Sequence, residues 1–213
     1  MAGTKPLFCS TGIVALEGLD GCGTTTQAKL LAERIIREGN AATLTQEPSS
    51  GYVGRLLREA LSTSQEQSTE TFPAFLALLF AADRLEHLDS KVRPALKRGE
   101  WVITDRSVLS SLAYQSMELS SAWVESINSL APFPHLILWV DTPPEECILR
   151  IEGRREAKDR YEKLETLKEL HPLYQSLSKR DFEGVKIIRI DGEQSIQEVH
   201  EKIWQEFRFF FGY

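Results

Sequence analysis

The chain has 213 residues, of which 42% are apolar and 26% charged, an ordinary composition for a globular protein that excludes an intrinsically disordered chain. Its formal net charge of −6 excludes nucleic-acid binding by bulk attraction but is compatible with a local phosphate pocket. No apolar run approaches the ~20 residues of a membrane-spanning helix, so we expect no membrane as partner. Because of the negative net charge, we expect no nucleic acid as partner either.

The cysteines Cys9, Cys22 and Cys147 are odd in number and lack the spacing of a metal site. This pattern favours a reducing compartment over a disulfide framework or a zinc site. The N-terminal stretch carries one lysine and runs into a predicted strand, unlike a signal peptide. We therefore expect a cytoplasmic protein.

Predicted strands and helices alternate along the chain. Short apolar runs typical of strands are residues 12–17, 41–46, 101–104, 136–140 and 185–190. Helical patterns are residues 24–38, 73–87, 90–98 (kinked or broken at Pro94 and stopped by Gly99) and about 195–207. This alternation predicts one domain over residues 1–213, with a mostly parallel sheet and helices on both faces. In such sheets ligands bind beyond the carboxyl ends of the strands.

Residues 18–27 (GLDGCGTTTQ) follow the first predicted strand and resemble the phosphate-loop pattern G-x-x-x-x-G-K-[ST]. Thr25 stands where the magnesium-binding hydroxyl belongs, but Thr24 occupies the position of the lysine that contacts the β- and γ-phosphates. Glycines let backbone amides surround an anion at the start of a helix. The alternative for this loop by itself is a tight turn without a ligand. The candidate ATP- and phosphate-binding residues are Gly18, Leu19, Asp20, Gly21, Cys22, Gly23, Thr24, Thr25 and Thr26.

Five motifs in chain order resemble the thymidylate kinase family. They are the phosphate loop, Glu47-Pro48, residues 78–84 (LLFAADR), residues 104–115 (TDR with SSLAYQ) and residues 141–162 (DTPPE through DRYE). The resemblance covers roughly residues 12–180 and implies an α/β P-loop nucleoside monophosphate kinase fold, with a five-stranded parallel sheet and a short lid at about residues 150–160. It also implies in-line phosphoryl transfer from ATP to dTMP, Mg²⁺ as cofactor and a homodimer.

The resemblance assigns residues to the dTMP site: Asp20, Glu47, Phe80, Arg84, Arg106, Ser111, Tyr114 and Gln115. It implies that Arg106 holds the acceptor phosphate, for which a guanidinium fork is well suited, with Asp105 close to the phosphates. Phe80 and Arg84 are four residues apart on one predicted helix, so a ring and a guanidinium share one face.

For four of these residues the resemblance implies a defined contact. Tyr114 lies against the deoxyribose and disfavours a 2′-hydroxyl, and Ser111 and Gln115 contact the base. Asp20 meets the 3′-hydroxyl, although a turn or N-cap aspartate is an alternative. For Phe80 the alternative is core packing.

The basic run of Arg150, Arg154, Arg155 and Lys158 falls in the predicted lid. Such a run is commonly a solvated helix face, but the resemblance implies that Arg154 or Arg155 contacts the transferring phosphate. Cys22 supports this hypothesis because other members of the family carry arginine at that loop position. The predicted catalytic residues are Asp20, Asp105, Arg106, Arg154 and Arg155.

Thr24, Gln46, Ser49-Ser50 and Ser107 depart from the family's pattern and indicate a divergent member. Two other functions stay open at this stage. One is a nucleotide-binding protein with impaired catalysis, which Thr24 favours. The other is a kinase for another nucleoside monophosphate, because distinguishing dTMP from dUMP depends on one methyl group, a difference of ~1–3 kcal/mol.

Overall fold

The computed structural model describes residues 11–63, 69–153 and 161–213. Five parallel strands form one sheet in the order β2-β3-β1-β4-β5. The strands are β1 (Ile13–Gly18), β2 (Ala42–Gln46), β3 (Trp101–Asp105), β4 (Leu136–Asp141) and β5 (Lys186–Asp191). The predicted five-stranded parallel sheet is confirmed, with strand ends that differ by at most one residue from those predicted.

Helices follow every strand within the described residues. They are α1 (Thr24–Arg37), α2 (Tyr52–Thr63), α3 (Phe72–His87), α4 (Arg93–Lys97), α5 (Val108–Tyr114), α6 (Ser121–Asn128), α7 (Pro144–Glu152), α8 (Leu164–Ser178) and α9 (Ile196–Phe211). Helices α2, α5, α6, α7 and α8 lie outside the four helical patterns predicted from the sequence. In the part of the chain that the structure describes, no helix is long and apolar enough to span a membrane.

Helices cover both faces of the sheet. Trp101 of β3 packs against Phe207 of α9, with their ring centroids 5.0 Å apart. The next residue, Val102, packs instead with Val92 and Ala95 from the segment around α4. Because successive side chains of a strand point to opposite faces, α9 and α4 lie on opposite sides of the sheet.

The segment around Pro94 differs from the prediction of a separate helix over residues 90–98. Helix α3 continues through a π turn (Leu88–Val92) directly into α4, so the chain stays helical from Phe72 to Lys97. Proline lacks the amide that would bond one turn back, and its ring crowds the carbonyl there. The wider π turn just before Pro94 accommodates both effects without breaking the helix.

The central position of β1 determines where the phosphate loop lies. Strand β1 pairs with β3 on one side and with β4 on the other, with Leu16 opposite Asp105 and Gly18 opposite Val140. The loop after Gly18 therefore emerges between the carboxyl ends of two neighbouring strands, the edge at which parallel sheets bind ligands.

Candidate active site

The phosphate loop connects β1 to α1 through backbone conformations that favour glycine. Gly21 and Gly23 have φ angles of +84° and +103°, in the left-handed region that L side chains rarely adopt. Gly23 is the N-cap of α1, and its carbonyl accepts the amide of Gln27 at 3.0 Å. The loop thus presents glycine backbone and the positive end of a helix dipole, which together suit a phosphate.

Thr25 and Asp105 meet at the mouth of this loop. The Thr25 hydroxyl donates a hydrogen bond to Oδ2 of Asp105. The other carboxylate oxygen, Oδ1, is buried and has no hydrogen-bond partner among the described residues. Hydroxyl and carboxylate oxygens are ligands that Mg²⁺ prefers. The described residues contain no group of three His, Cys, Asp or Glu side chains able to hold a metal.

Arg106 links the phosphate loop to the neighbouring cavity. It follows β3 with a left-handed φ of +72°. Its Nη1 donates to the carbonyl of Gly18 at 2.8 Å, and its Nη2 donates to Oδ1 of Asp20 at 2.5 Å. The Tyr114 hydroxyl donates to the other Asp20 oxygen at 3.0 Å, so Asp20 serves in this network and not as the N-cap of α1. Burial would lower the pKa of the Arg106 guanidinium, but Tyr114 and Asp20 outweigh it and hold the pKa above its usual range.

An open cavity beside Arg106, which we call the acceptor cavity, contains most of the predicted dTMP-binding residues. Its lining is Asp20, Glu47, Pro48, Leu61, Phe80, Arg106, Ser110, Ser111, Tyr114, Gln115 and Tyr161. Seven of the eight residues predicted for dTMP are in this set. Phe80 is partly exposed and lines the cavity, and it also packs against a core cluster that includes Leu61 and Leu76, so the alternative of core packing applies to part of its ring. Gln115 is buried, and its Oε1 has no hydrogen-bond partner among the described residues, so the cavity wall carries an unused acceptor.

Arg84, the eighth predicted residue, lies behind the cavity wall. Within the described residues the lining of the acceptor cavity does not include Arg84. Its Nε donates to Oε2 of Glu47 at 2.9 Å, and its Nη2 donates to the Ser111 hydroxyl at 2.9 Å. Burial would raise the pKa of Glu47, but Arg84 and then His87 outweigh it and lower that pKa. Arg84 therefore supports two residues of the cavity wall from behind.

The family model for thymidylate kinase matches residues 16–203 of this chain. The chain belongs to the thymidylate kinase family. One relative is the "Probable thymidylate kinase" of Pyrococcus abyssi, which is 42% identical over 192 residues, covering 89% of this chain and 92% of that protein. Another is the "Thymidylate kinase" of Synechococcus sp. (strain JA-2-3B'a(2-13)), which is 37% identical over 196 residues, covering 90% of this chain and 91% of that protein. The predicted family and fold are confirmed.

The predicted lid residues of this thymidylate kinase family member are only partly described. Arg154, Arg155 and Lys158 lie outside the described residues. Arg150, the first residue of the basic run, donates through Nη1 to the carbonyl of Cys22 at 3.4 Å and through Nη2 to the carbonyl of Gly192 at 3.2 Å. Arg150 therefore connects the phosphate loop to the turn after β5. The alternative of a solvated helix face does not describe this residue.

A second cavity adjoins the phosphate loop on the side of β2. Thr25 and Asp105 contribute to its lining together with three basic residues, Lys29, Arg58 and Lys91. Gln46 lines it as well. Positive charge is thus present beside the loop, although Thr24 and Gln46 replace basic residues of the thymidylate kinase pattern.

Sequence reasoning missed three residues that support the site. Asn128 of α6 accepts a hydrogen bond from Arg84, and Glu17 and Tyr174 form a buried network under Arg106. Glu17 could have been found from the sequence, because it is a charged residue that ends the otherwise apolar run GIVALE. Asn128 and Tyr174 left no such signal, since polar residues are ordinary in amphipathic helices.

Proposed function

We propose that this chain transfers the γ-phosphoryl group of ATP to dTMP and forms dTDP and ADP. One observation carries the proposal: Arg106 contacts the phosphate loop through Gly18 and Asp20 and also lines the acceptor cavity. A donor phosphate on the loop and an acceptor phosphate at Arg106 would be neighbours, as direct transfer requires.

The donor side of the proposal consists of the loop amides, the N-terminus of α1 and a magnesium site. Thr25 and Asp105 would hold the ion together with the phosphates, and the orphaned Asp105 oxygen supports this assignment. Mg²⁺ neutralises charge on the phosphates when it is bound. Burial raises the pKa of the Cys22 thiol to about 12, so the loop cysteine is a neutral thiol near pH 7.

The acceptor side is proposed to bind the thymine base against Phe80. Thymine carries one ring N–H donor, and the buried Oε1 of Gln115 is an acceptor in need of one. Ser111 contacts the base beside it, and Tyr114 lies against the deoxyribose. Asp20 meets the 3′-hydroxyl through the carboxylate that Arg106 and Tyr114 now hold.

Catalysis in this proposal is positioning and charge neutralisation. The acceptor phosphate attacks the donor phosphorus directly, so no side chain acts as nucleophile. Arg106 holds the attacking phosphate, and Arg154 or Arg155 supplies charge at the transferring group from a lid at about residues 150–160. Closure of that lid would exclude water and prevent hydrolysis of ATP.

We also propose that the protein is a single domain that forms a homodimer and acts in the cytoplasm. Phe75, Leu78 and Ala82 are exposed and recur along one side of α3, which is the spacing of an apolar helix stripe. A second copy would cover this stripe. The buried free thiols of Cys22 and Cys147 support a reducing compartment.

Thr24 favours a second candidate function, a nucleotide-binding protein with impaired phosphoryl transfer. Loss of one cationic contact to the transferring group typically lowers the rate ~100- to 1,000-fold. Thr24 is buried at the first position of α1 and carries no charge. The basic residues beside Thr25 and in the lid favour the active enzyme instead.

The test is ADP production with Mg-ATP and dTMP, with dUMP, dCMP and AMP as alternative acceptors. Thr24→Lys is assayed beside the wild type, and Ser121→Lys, at an exposed position of α6, controls for the added charge. Turnover by the wild type with dTMP at ordinary kinase rates supports the proposal and makes the loop lysine dispensable. Binding of ATP and dTMP without turnover, restored by Thr24→Lys only, supports the second candidate. Faster turnover with another acceptor would reassign the substrate.

A further inference from the structure

A fully buried carboxylate lies under the acceptor cavity. Glu17, near the end of β1, has no exposed surface. Three hydroxyl groups donate to it: Ser107 to Oε1 at 2.7 Å, Ser110 to Oε2 at 2.6 Å and Tyr174 to Oε2 at 3.2 Å. Burial raises the pKa of Glu17, and the bonds from these hydroxyls together with the nearby Arg106 charge oppose that rise. A carboxylate that accepts at both oxygens fixes the direction of every hydroxyl proton around it.

Two of these hydroxyls also contact Arg106. Its Nη1 donates to the Ser110 hydroxyl at 3.2 Å and to the Tyr174 hydroxyl at 3.4 Å. A hydroxyl has a single proton. The Ser110 and Tyr174 hydroxyls also lie 3.0 Å from each other, where either could donate. A charged carboxylate is the stronger acceptor, so we take both protons to be directed at Glu17, with the lone pairs of Ser110 and Tyr174 turned towards the guanidinium. Glu17 thereby determines that both hydroxyls present acceptor lone pairs to Arg106, although Glu17 itself forms no hydrogen bond with Arg106.

The third hydroxyl restrains the backbone next to Arg106. Ser107 donates to Glu17, and its carbonyl accepts Nη2 of Arg84 at 3.3 Å. Arg106 just before it has a φ of +72°. A left-handed backbone at a residue other than glycine persists only where its surroundings enforce it.

We propose that Glu17 is a positioning residue for Arg106. It orients the hydroxyls of Ser110 and Tyr174 and, through Ser107, anchors the left-handed turn, so that the guanidinium faces Asp20 and the acceptor cavity. The inference rests on the proposed function, in which Arg106 holds the phosphate of dTMP. Glu17 and Tyr174 touch no substrate in this scheme.

Glu17→Gln tests the proposal with little change of volume. An amide has one acceptor oxygen and one donor nitrogen. It cannot accept from hydroxyls on both sides, so at least one hydroxyl must accept from the amide nitrogen and turn its own proton away from position 17. Tyr174→Phe is the second variant, since it removes one hydroxyl and keeps the buried ring. Glu125→Gln, which alters a surface pair with Arg180, is the matched control.

Calorimetric affinities for dTMP and for thymidine, which lacks the phosphate, separate positioning from a structural role. We expect Glu17→Gln and Tyr174→Phe to weaken dTMP binding by about 10- to 100-fold, on the scale of the losses seen when a partner that orients a metal ligand is removed. Thymidine affinity should stay within about twofold, and Glu125→Gln should change neither. Steady-state assays should show the loss in KM for dTMP while KM for ATP is unchanged.

Arg106→Gln separates this inference from the proposed function. If Arg106→Gln leaves dTMP affinity intact, Arg106 does not hold the acceptor phosphate and the proposed function loses its main support. If Arg106→Gln weakens dTMP binding while Glu17→Gln and Tyr174→Phe do not, the positioning role of Glu17 is overturned. Equal losses for dTMP and thymidine in both network variants would show a merely structural role and overturn it as well. Should Glu17→Gln fail to fold, Tyr174→Phe measured beside Arg106→Gln still separates these outcomes.

Discussion

Two glycines of the phosphate loop share a left-handed backbone but have different surroundings. A Cβ added at Gly21 would lie 2.5 Å from the carbonyl oxygen of Cys147 and 3.0 Å from Cγ1 of Ile151, both on α7. A Cβ added at Gly23 would have no heavy atom within 4 Å among the described residues. The pair Gly21→Ala and Gly23→Ala therefore separates backbone strain from steric contact with α7.

The two substitutions should differ in their effect on stability. The left-handed backbone costs an alanine about 1–2 kcal/mol, and this cost applies at both positions. At Gly21 the contact with a backbone oxygen, which cannot rotate away, adds about 1–3 kcal/mol. We expect Gly23→Ala to lower the free energy of unfolding by about 1–2 kcal/mol and Gly21→Ala by about 2–5 kcal/mol.

Urea unfolding, followed by circular dichroism, measures both losses, and thermal unfolding checks them independently. For a chain of this size each kcal/mol lowers Tm by about 2–4 °C. Equal losses in the two variants would show that α7 does not press against the loop at Gly21. A larger loss in Gly23→Ala would refute the reasoning altogether.

Three further changes test the packing, the pH dependence and the proposed assembly. Phe207→Ala in the core should lower the free energy of unfolding in urea by about 3–5 kcal/mol. Phe209 is 87% exposed, so Phe209→Ala should change it by no more than about 0.5 kcal/mol. Similar losses in the two variants would contradict this packing. Burial, and then the positive charge of Arg34, lower the pKa of His200, so below pH 6.5 the unfolded chain binds a proton that the folded protein does not. Unfolding free energy should therefore fall more steeply from pH 7 to 5 in the wild type than in His200→Leu, and parallel curves would exclude this effect. Leu78→Glu, at an exposed position of α3, should convert a dimer to a monomer in sedimentation, and an unchanged mass would place the interface elsewhere.

The local sequence contained enough information for the sheet and for the phosphate loop. The apolar run at residues 136–140 became β4 (Leu136–Asp141) because a strand buried on both faces needs a continuous apolar stretch. Helix α2 escaped prediction partly because Gly54 lowers helix propensity. The structure explains this glycine, since a Cβ there would collide with the carbonyl of Ser49 and a carboxylate oxygen of Asp83.

Only the tertiary structure decided what the polar residues of the site contact. Arg84 and Phe80 lie on one helix, yet Phe80 lines the acceptor cavity while Arg84 reaches behind it to Glu47 and Ser111. Glu17 meets the hydroxyl of Tyr174 across a separation of 157 residues. Hydrophobic periodicity and turn-forming residues reflect only the interactions of a residue with others close to it in the sequence. Partners from distant strands and helices are determined by how the layers pack, so their hydrogen bonds leave no pattern in the local sequence.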